Sequence, residues 1–488
     1  MRLLPALLLL STAAGAQAPE APPLFTADAL ATAARLRDEA SKGDEAYRIV
    51  ESLTTEIGPR LAGSDADARA VQWAEARFKS LGFDRVTLEP VSYPIWHRGV
   101  ESAVLTAPMP QKLAVLALGW SSGTPKGGVE AEVVRFDSLD ALRAADAAQV
   151  RGKIVFVSQK MVRRRDGGGY GPAVAVRGIG AEVAGRKGAV ALLIRSVGTD
   201  STRFPHTGGG VSSTQIYQYF PDAQQRAIKL KSGGTILPSL VPAAAISNPD
   251  ADQLDRLAAL GQPLRIKLQL DVGFAGEYQG HNVIGDIIGR EKPDEIVLIG
   301  GHLDSWDPGT GAIDDGAGVA ITMAAGAMIG RLEHAPRRTV RVVAFANEEQ
   351  GIFGSLAYAK AHPDARLTHV AAAESDFGAG VVYRLDSKVA DASMAMADAI
   401  GEAISPLDVE RGGNAAGGGP DVGALARLGV PVFELQQDGT KYFDLHHTAN
   451  DTLDKIDPRE IAQNVAAYVT FAYLAAEAEQ RMQCPKLP

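Results

Sequence analysis

The sequence predicts an α/β protein: a doubly wound, mostly parallel sheet interrupted by an inserted β-rich unit. Three observations carry that expectation. Short apolar, β-branched runs alternate with helical patterns through the C-terminal half, which implies a parallel sheet covered on both faces. Each of those runs is followed closely by His, Asp or Glu, on the side where α/β sheets bind their ligands. A turn cluster at Gly119–Gly128 opens a stretch with a rhythm of its own.

In chain order, the first residues read as a secretory signal. Arg2 is a positive start, Leu3–Leu10 is an apolar run too short to span a bilayer, and Ala16-Gln17-Ala18 is a small-x-small cleavage site. Residues 1–18 are therefore expected to be a signal peptide, and the mature protein periplasmic or secreted. No other uninterrupted apolar segment approaches spanning length, so no membrane association is expected after the signal is removed. Residues 24–119 are expected to form the first part of the catalytic domain. Helical spacing runs from Ala27 to Phe83, broken by the loop Ile57–Ser64 and stopped at Gly82, and a strand-rich stretch follows from Arg85 to about Leu118. Residues 120–270 are the inserted unit, with strands at Val150–Val157 and Gly188–Ile194, helices at Gly178–Lys187 and 249–260, and a closing strand Leu264–Val272. Residues 271–480 complete the catalytic domain. Their strands are Glu295–Ile299, Thr339–Ala346, His369–Glu374 and Val430–Leu435, with helices Gly318–Leu332 and Ile352–Ala361 between them.

Bulk properties narrow the function. A chain of 488 residues exceeds one compact core, which favours two domains or one domain with a large insertion. The net charge of −9, one unit more negative without residues 1–18, argues against nucleic acid as a partner. Cys484 is the only cysteine, so no intrachain disulfide forms and export is tolerated without one.

The residues that follow the four strands carry the chemistry. They are His302-Leu303-Asp304 with Asp314-Asp315, then Glu348-Glu349, then Asp376, then His446-His447. Carboxylates and imidazoles gathered on one rim would repel one another if left alone, and a divalent metal with mixed N/O ligation removes that problem. A single zinc needs three protein ligands and a water, whereas five good candidates suit two ions sharing a carboxylate. Glu348, beside Glu349, can then take and deliver protons.

The segments Gly301-His302-Leu303-Asp304, Asp314-Asp315-Gly316-Ala317-Gly318, Asn347-Glu348-Glu349-Gln350-Gly351, Glu374-Ser375-Asp376 and His447-Thr448-Ala449-Asn450-Asp451-Thr452 resemble the co-catalytic di-zinc aminopeptidase family. The likeness runs from about residue 45 to 470, and the insert resembles a protease-associated domain. The resemblance implies the zinc exopeptidase fold and two Zn2+ per chain. His302 and Asp376 would hold one ion and Glu349 and His447 the other, with Asp314 bridging. Glu348 would be the general base, activating a bridging metal-bound hydroxide, and Asp304 would orient His302. A cis peptide at Asp314–Asp315 and a homodimer are also implied, although no physical signal in the sequence requires a dimer. The expected substrate is a short peptide, cleaved by an aminopeptidase or dipeptidase, with the direction relative to a carboxypeptidase left open. Two rivals share the fold: a single-zinc acyltransferase like glutaminyl cyclase, and a binding protein with a decayed site.

The remaining candidates have quieter readings. The His-Thr-x-x-Asp-Thr spacing selects His447, so His446 is read as packing or support. Asp307 and Asp315 are read as loop hydrogen-bonding groups or as tuning the site, and Glu374 is unassigned. His97, His281, His334, His362 and His369 stand outside any motif. His206, in Pro205-His206-Thr207-Gly208, and Asp421, at the end of the glycine-rich loop Gly412–Asp421, are the expected substrate-binding residues.

Overall fold

The computed structural model describes residues 23–209, 213–231 and 235–486, so the expected signal peptide, 1–18, lies outside the described residues. The N-terminal stretch folds as helices Ala27–Ala40, Glu45–Ser52 and Asp65–Ser80. Thr26 and Ser64 cap the first and third by accepting a backbone N–H, each at 3.1 Å. Gly82 ends the third in the left-handed region (φ 85°).

The centre of the molecule is a 14-stranded sheet. In its C-terminal part Lys292–His302 lies between Arg338–Phe345 and His369–Glu374, and Val432–Gln437 follows, all parallel. Val382–Lys388, absent from the sequence expectations, adds an antiparallel strand beyond Val432–Gln437. These strands read as continuous apolar runs because both faces are covered. Val297 and Ile299 pack among helices Ala317–Gly330 and Pro458–Glu477, whereas Leu298, with Val343 and Phe345, packs against Tyr358, Val422 and Leu425 on the other face. Burying each such side chain contributes roughly 1.5–3 kcal/mol. The stretch Ala312–Gly330 is long and apolar enough to cross a membrane by length and composition, but Asp314 and Asp315 interrupt it in the turn before helix Ala317–Gly330, and 94% of an 18-residue window of it is buried inside the fold.

The expected closing strand at 264–272 does not close. It belongs to a 23-residue strand, Arg265–Ile287, that runs through residue 271 and pairs antiparallel with Arg85–Ala107 from Ala107↔Arg265 to Arg85↔Asp286. One end of this ribbon joins the catalytic sheet through Arg338–Phe345. The other joins Val129–Phe136, from which Ile154–Val157, Ala191–Arg195 and Ala243–Ile246 continue in parallel. Helices Tyr170–Arg186 and Asn248–Ala259 make residues 120–270 mixed α/β, packed in two apolar clusters, one of which also takes in Trp96, Leu105 and Trp306.

Candidate metal centre

Every expected ligand stands at the carboxyl ends of the parallel strands. His302 is the last residue of the central strand, from which successive connections lead to opposite sides of the sheet, and Asp376 follows His369–Glu374 by two residues. Glu348 and Glu349 lie in the turn after Arg338–Phe345, and His447 follows the short helix Tyr442–Leu445. Asn347 (φ 47°) and His447 (φ 59°) adopt the left-handed region, a conformation that costs a non-glycine residue about 1 kcal/mol and is concentrated at functional sites. Asp314 sits in the turn Ala312–Gly316, and its bond to Asp315 is cis. Gly318 of the same motif has no room for a side chain, because a Cβ there would collide with the Ser375 carbonyl.

The other four ligand side chains gather around Asp314. Its Oδ1 lies 3.2 Å from His302 Nε2, and its Oδ2 lies 3.0 Å from His447 Nε2. His302 Nε2 is also 3.5 Å from Asp376, and His447 Nε2 is 2.8 Å from Glu349. The proton on His302 is placed by its neighbours. Nδ1 is 3.0 Å from the Asp304 carbonyl oxygen, which only accepts, so Nδ1 carries a hydrogen and Nε2 is the nitrogen turned to the carboxylates. The Asp304 carboxylate is farther from the ring, at 3.6 Å, and accepts the Glu348 backbone N–H at 3.0 Å. Burial acts to lower the His302 imidazole, yet its contacts with Asp304, Asp314 and Asp376 raise it well above the usual value. Burial raises Glu348 well above the carboxylate range, with Asp376, Asp421 and Asp304 adding to the effect and His302 opposing it. Glu349 is raised in the same way, first by burial and then by Asp314.

Three supporting residues escaped the sequence reading. Arg60, fully buried in the loop 57–64, donates to the carbonyls of Leu303, Thr310 (2.8 Å) and Gly311 (2.9 Å), tying down both ligand loops. Asp451, visible in the His-Thr-x-x-Asp-Thr spacing, accepts the backbone N–H of Ile313 (2.6 Å) and Asp314 (3.2 Å). Tyr442 donates its hydroxyl to Asp314 Oδ1 at 3.3 Å. Asp315 accepts from the backbone N–H of His302 and Gly318, each at 3.0 Å, and Asp307 pairs with Arg98 at 3.0 Å, so both serve their loops.

His206 is fully buried and stands behind His446 instead of lining the cleft. Its Nδ1 is 2.6 Å from the Thr207 carbonyl oxygen, so that nitrogen is protonated and Nε2 accepts from His446 Nδ1 at 2.8 Å. His446 is left with an Nε2 lone pair 4.0 Å from Asp314 Oδ2. Burial holds both rings well below the ordinary histidine range, hence neutral. His206, His446 and His447 also converge closely enough to hold a metal ion, but the bond between His206 and His446 already occupies one nitrogen of each. Asp421 is fully buried, and burial with the charges of Asp376 and Asp304, opposed by His302, pushes it up to about 8. A cavity of about 730 Å3 is lined by Asp314, Glu348, Glu349 and His447 together with Trp120, Arg177 and Leu237 of the 120–270 stretch.

Comparison with known proteins gives one family. Residues 282–472 match the model of peptidase family M28. Carboxypeptidase Q of Bos taurus is 34% identical over 441 residues, covering 90% of this chain and 87% of that protein. A crystal structure of a peptidase M28 precursor from Shewanella amazonensis is 47% identical, covers 94% of this chain and 99% of that one, and superposes with a TM-score of 0.86. BSAP, a zinc aminopeptidase from Bacillus subtilis, shares the fold at 18% identity, with 91% of this chain and 97% of that one covered and a TM-score of 0.61.

Proposed function

Since the chain belongs to peptidase family M28, we propose that it is an exported, zinc-dependent exopeptidase of aminopeptidase or dipeptidase type acting on short peptides. The observation that carries the two-ion reading is the Asp314 carboxylate, whose two oxygens face two different imidazoles, each with a second carboxylate beside it. The donor set fits zinc. His302 turns Nε2 toward carboxylate oxygens at 3.2 and 3.5 Å, an arrangement that needs a cation or a proton between them. His302 and Asp376 would hold one zinc, and Glu349 and His447 the other, with Asp314 shared. Bound there, zinc supplies a Lewis acid for the scissile carbonyl and makes water nucleophilic at neutral pH.

The remaining work belongs to the chain's own groups. Glu348 lines the cavity, and its backbone is held by Asp304, so its carboxylate takes a proton from the attacking water and returns it to the leaving amine nitrogen. Asp304 fixes the His302 tautomer through its backbone carbonyl. The 120–270 stretch, read as an inserted protease-associated unit, walls the cleft and limits entry to short chains. A dipeptide is open to attack from either description of direction, which makes dipeptides the substrates to try first.

Metal content and hydrolysis of a dipeptide panel, measured for wild type and Glu348→Gln, test this reading. About two zincs per chain in both proteins are expected, with kcat reduced roughly 10²–10⁴-fold in the variant. One zinc or none in the wild type would overturn the two-ion assignment, and two zincs without cleavage of any peptide would overturn the exopeptidase.

A further inference from the structure

A second cavity of about 220 Å3 adjoins the large one, sharing Asp376, Phe377 and Pro420 with it. Its other charged lining groups are Asp166, Glu374 and Glu434, and among the described residues no lysine, arginine or histidine lines it. Two of these carboxylates are fixed by the glycine-rich loop. Glu434 Oε1 accepts from Gly417 and Gly418 N–H at 2.8 and 2.9 Å, and Glu374 Oε2 accepts from Asp421 and Val422 N–H, both at 2.9 Å. Glu374 is only 7% exposed, and its other oxygen, Oε1, has no hydrogen-bond partner among the described residues. A buried carboxylate oxygen without a donor is expensive, and a charged donor entering the cavity satisfies it.

We propose that this side cavity is the subsite for a positively charged amine of the peptide substrate, with Glu374 Oε1 as its counter-charge. The inference rests on the exopeptidase reading above, which places a peptide beside Asp376. An ammonium or guanidinium brings the N–H donors that Oε1 lacks, whereas an anionic or purely apolar group would leave that oxygen without one; Asp166 already has Arg164 as its partner at 3.1 Å. An inorganic ion fits less well, because neither Glu374 nor Glu434 belongs to any of the side-chain groups that converge closely enough to hold a metal. The amine has two sources: the free α-amino group, or a lysine or arginine side chain reaching past Phe377 and Pro420.

Calorimetric binding separates them without turnover. Lysinamide, norleucinamide and the Nα-acetyl forms of both are titrated into zinc-loaded Glu348→Gln protein, with and without Glu374→Gln. Glutamine keeps an acceptor for the Asp421 and Val422 N–H groups and places an amide at the free oxygen, so the loop stays anchored. If the side chain supplies the amine, lysinamide binds about 10–100-fold more tightly than norleucinamide, and Glu374→Gln removes that difference. If the α-amine supplies it, both free-amine ligands lose that factor on acetylation, and Glu374→Gln weakens them but not the acetylated pair. Glu434→Gln, in the same lining, is expected to act in the same direction. Equal binding of all four ligands, unchanged by Glu374→Gln, overturns the subsite. Preferential amine binding in a protein whose wild type cleaves no peptide would leave the subsite standing and defeat the exopeptidase reading instead.

Discussion

Neutral, buried imidazoles recur in this protein, and His369 shows what one contributes. It is fully buried, with Nε2 2.8 Å from the Tyr358 hydroxyl. Burial, then the charges of Arg341 and His362, push its pKa down to about 3. The folded value lies below the ordinary 6.5, so on acidification the unfolded chain takes up this proton first. The stability linked to His369 is therefore intact above pH ~6.5 and lost as the pH falls toward 3, with about 2 kcal/mol gone by pH 5. Urea unfolding of wild type and His369→Gln at pH 7 and pH 5 should show that loss only in the wild type; equal slopes would place the acid sensitivity elsewhere. Nothing in the sequence marks His369, because its partner Tyr358 is chosen by packing and not by a motif. The same holds for the contact of the Asp421 backbone N–H with Glu374, which depends on a loop folding back across the strand end.

The long ribbon is anchored to the catalytic sheet by one charged row. Arg85, Asp286 and Arg341 are partners across three adjacent strands. Asp286 is 1% exposed and accepts from Arg341 at 2.8 and 3.0 Å, while the Arg85 side chain that also reaches it is 53% exposed. Arg341→Met would leave Asp286 buried with only that solvated partner, and a loss of about 3–5 kcal/mol is expected in chemical unfolding. A loss below 1 kcal/mol would mean that Arg85 alone suffices. The ligand-bearing strands were legible because buried parallel strands are apolar and β-branched throughout, and their ligands come directly after them. The ribbon was not. Its second half, Gly273–Gly285, mixes glycine, tyrosine, glutamine and histidine without alternation, since it passes between two packed regions instead of lying on one core.

At the scale of the whole molecule, the stretch 120–270 is joined to the ligand loops as well as to the sheet. Thr207 N–H donates to the His447 carbonyl at 3.0 Å, His206 bonds His446, and Arg177 donates to the Thr207 carbonyl at 3.1 Å. Gly208 (φ 123°) permits this approach, because a Cβ there would press on Arg177 and His447. His206→Ala removes a support some 240 positions from the ligand it steadies, and it is expected to weaken zinc retention roughly 10–100-fold in competition with a chelator. Unchanged retention would reduce the contact to packing. The His302, Glu348-Glu349 and His447 motifs announced the site in the sequence, whereas this link needed the fold, because no local pattern encodes a contact between residues so far apart. The ribbon also has a consequence for how such a protein can change over generations. Ala107 and Arg265 are paired Cα to Cα, so everything from 108 to 264 leaves and returns at one point. In the path of the chain that excursion is equivalent to a hairpin turn, and lineages could exchange, lengthen or trim it by splicing at a single place without rethreading the sheet, so long as the contacts of Thr207 with His447 and His206 with His446 were replaced.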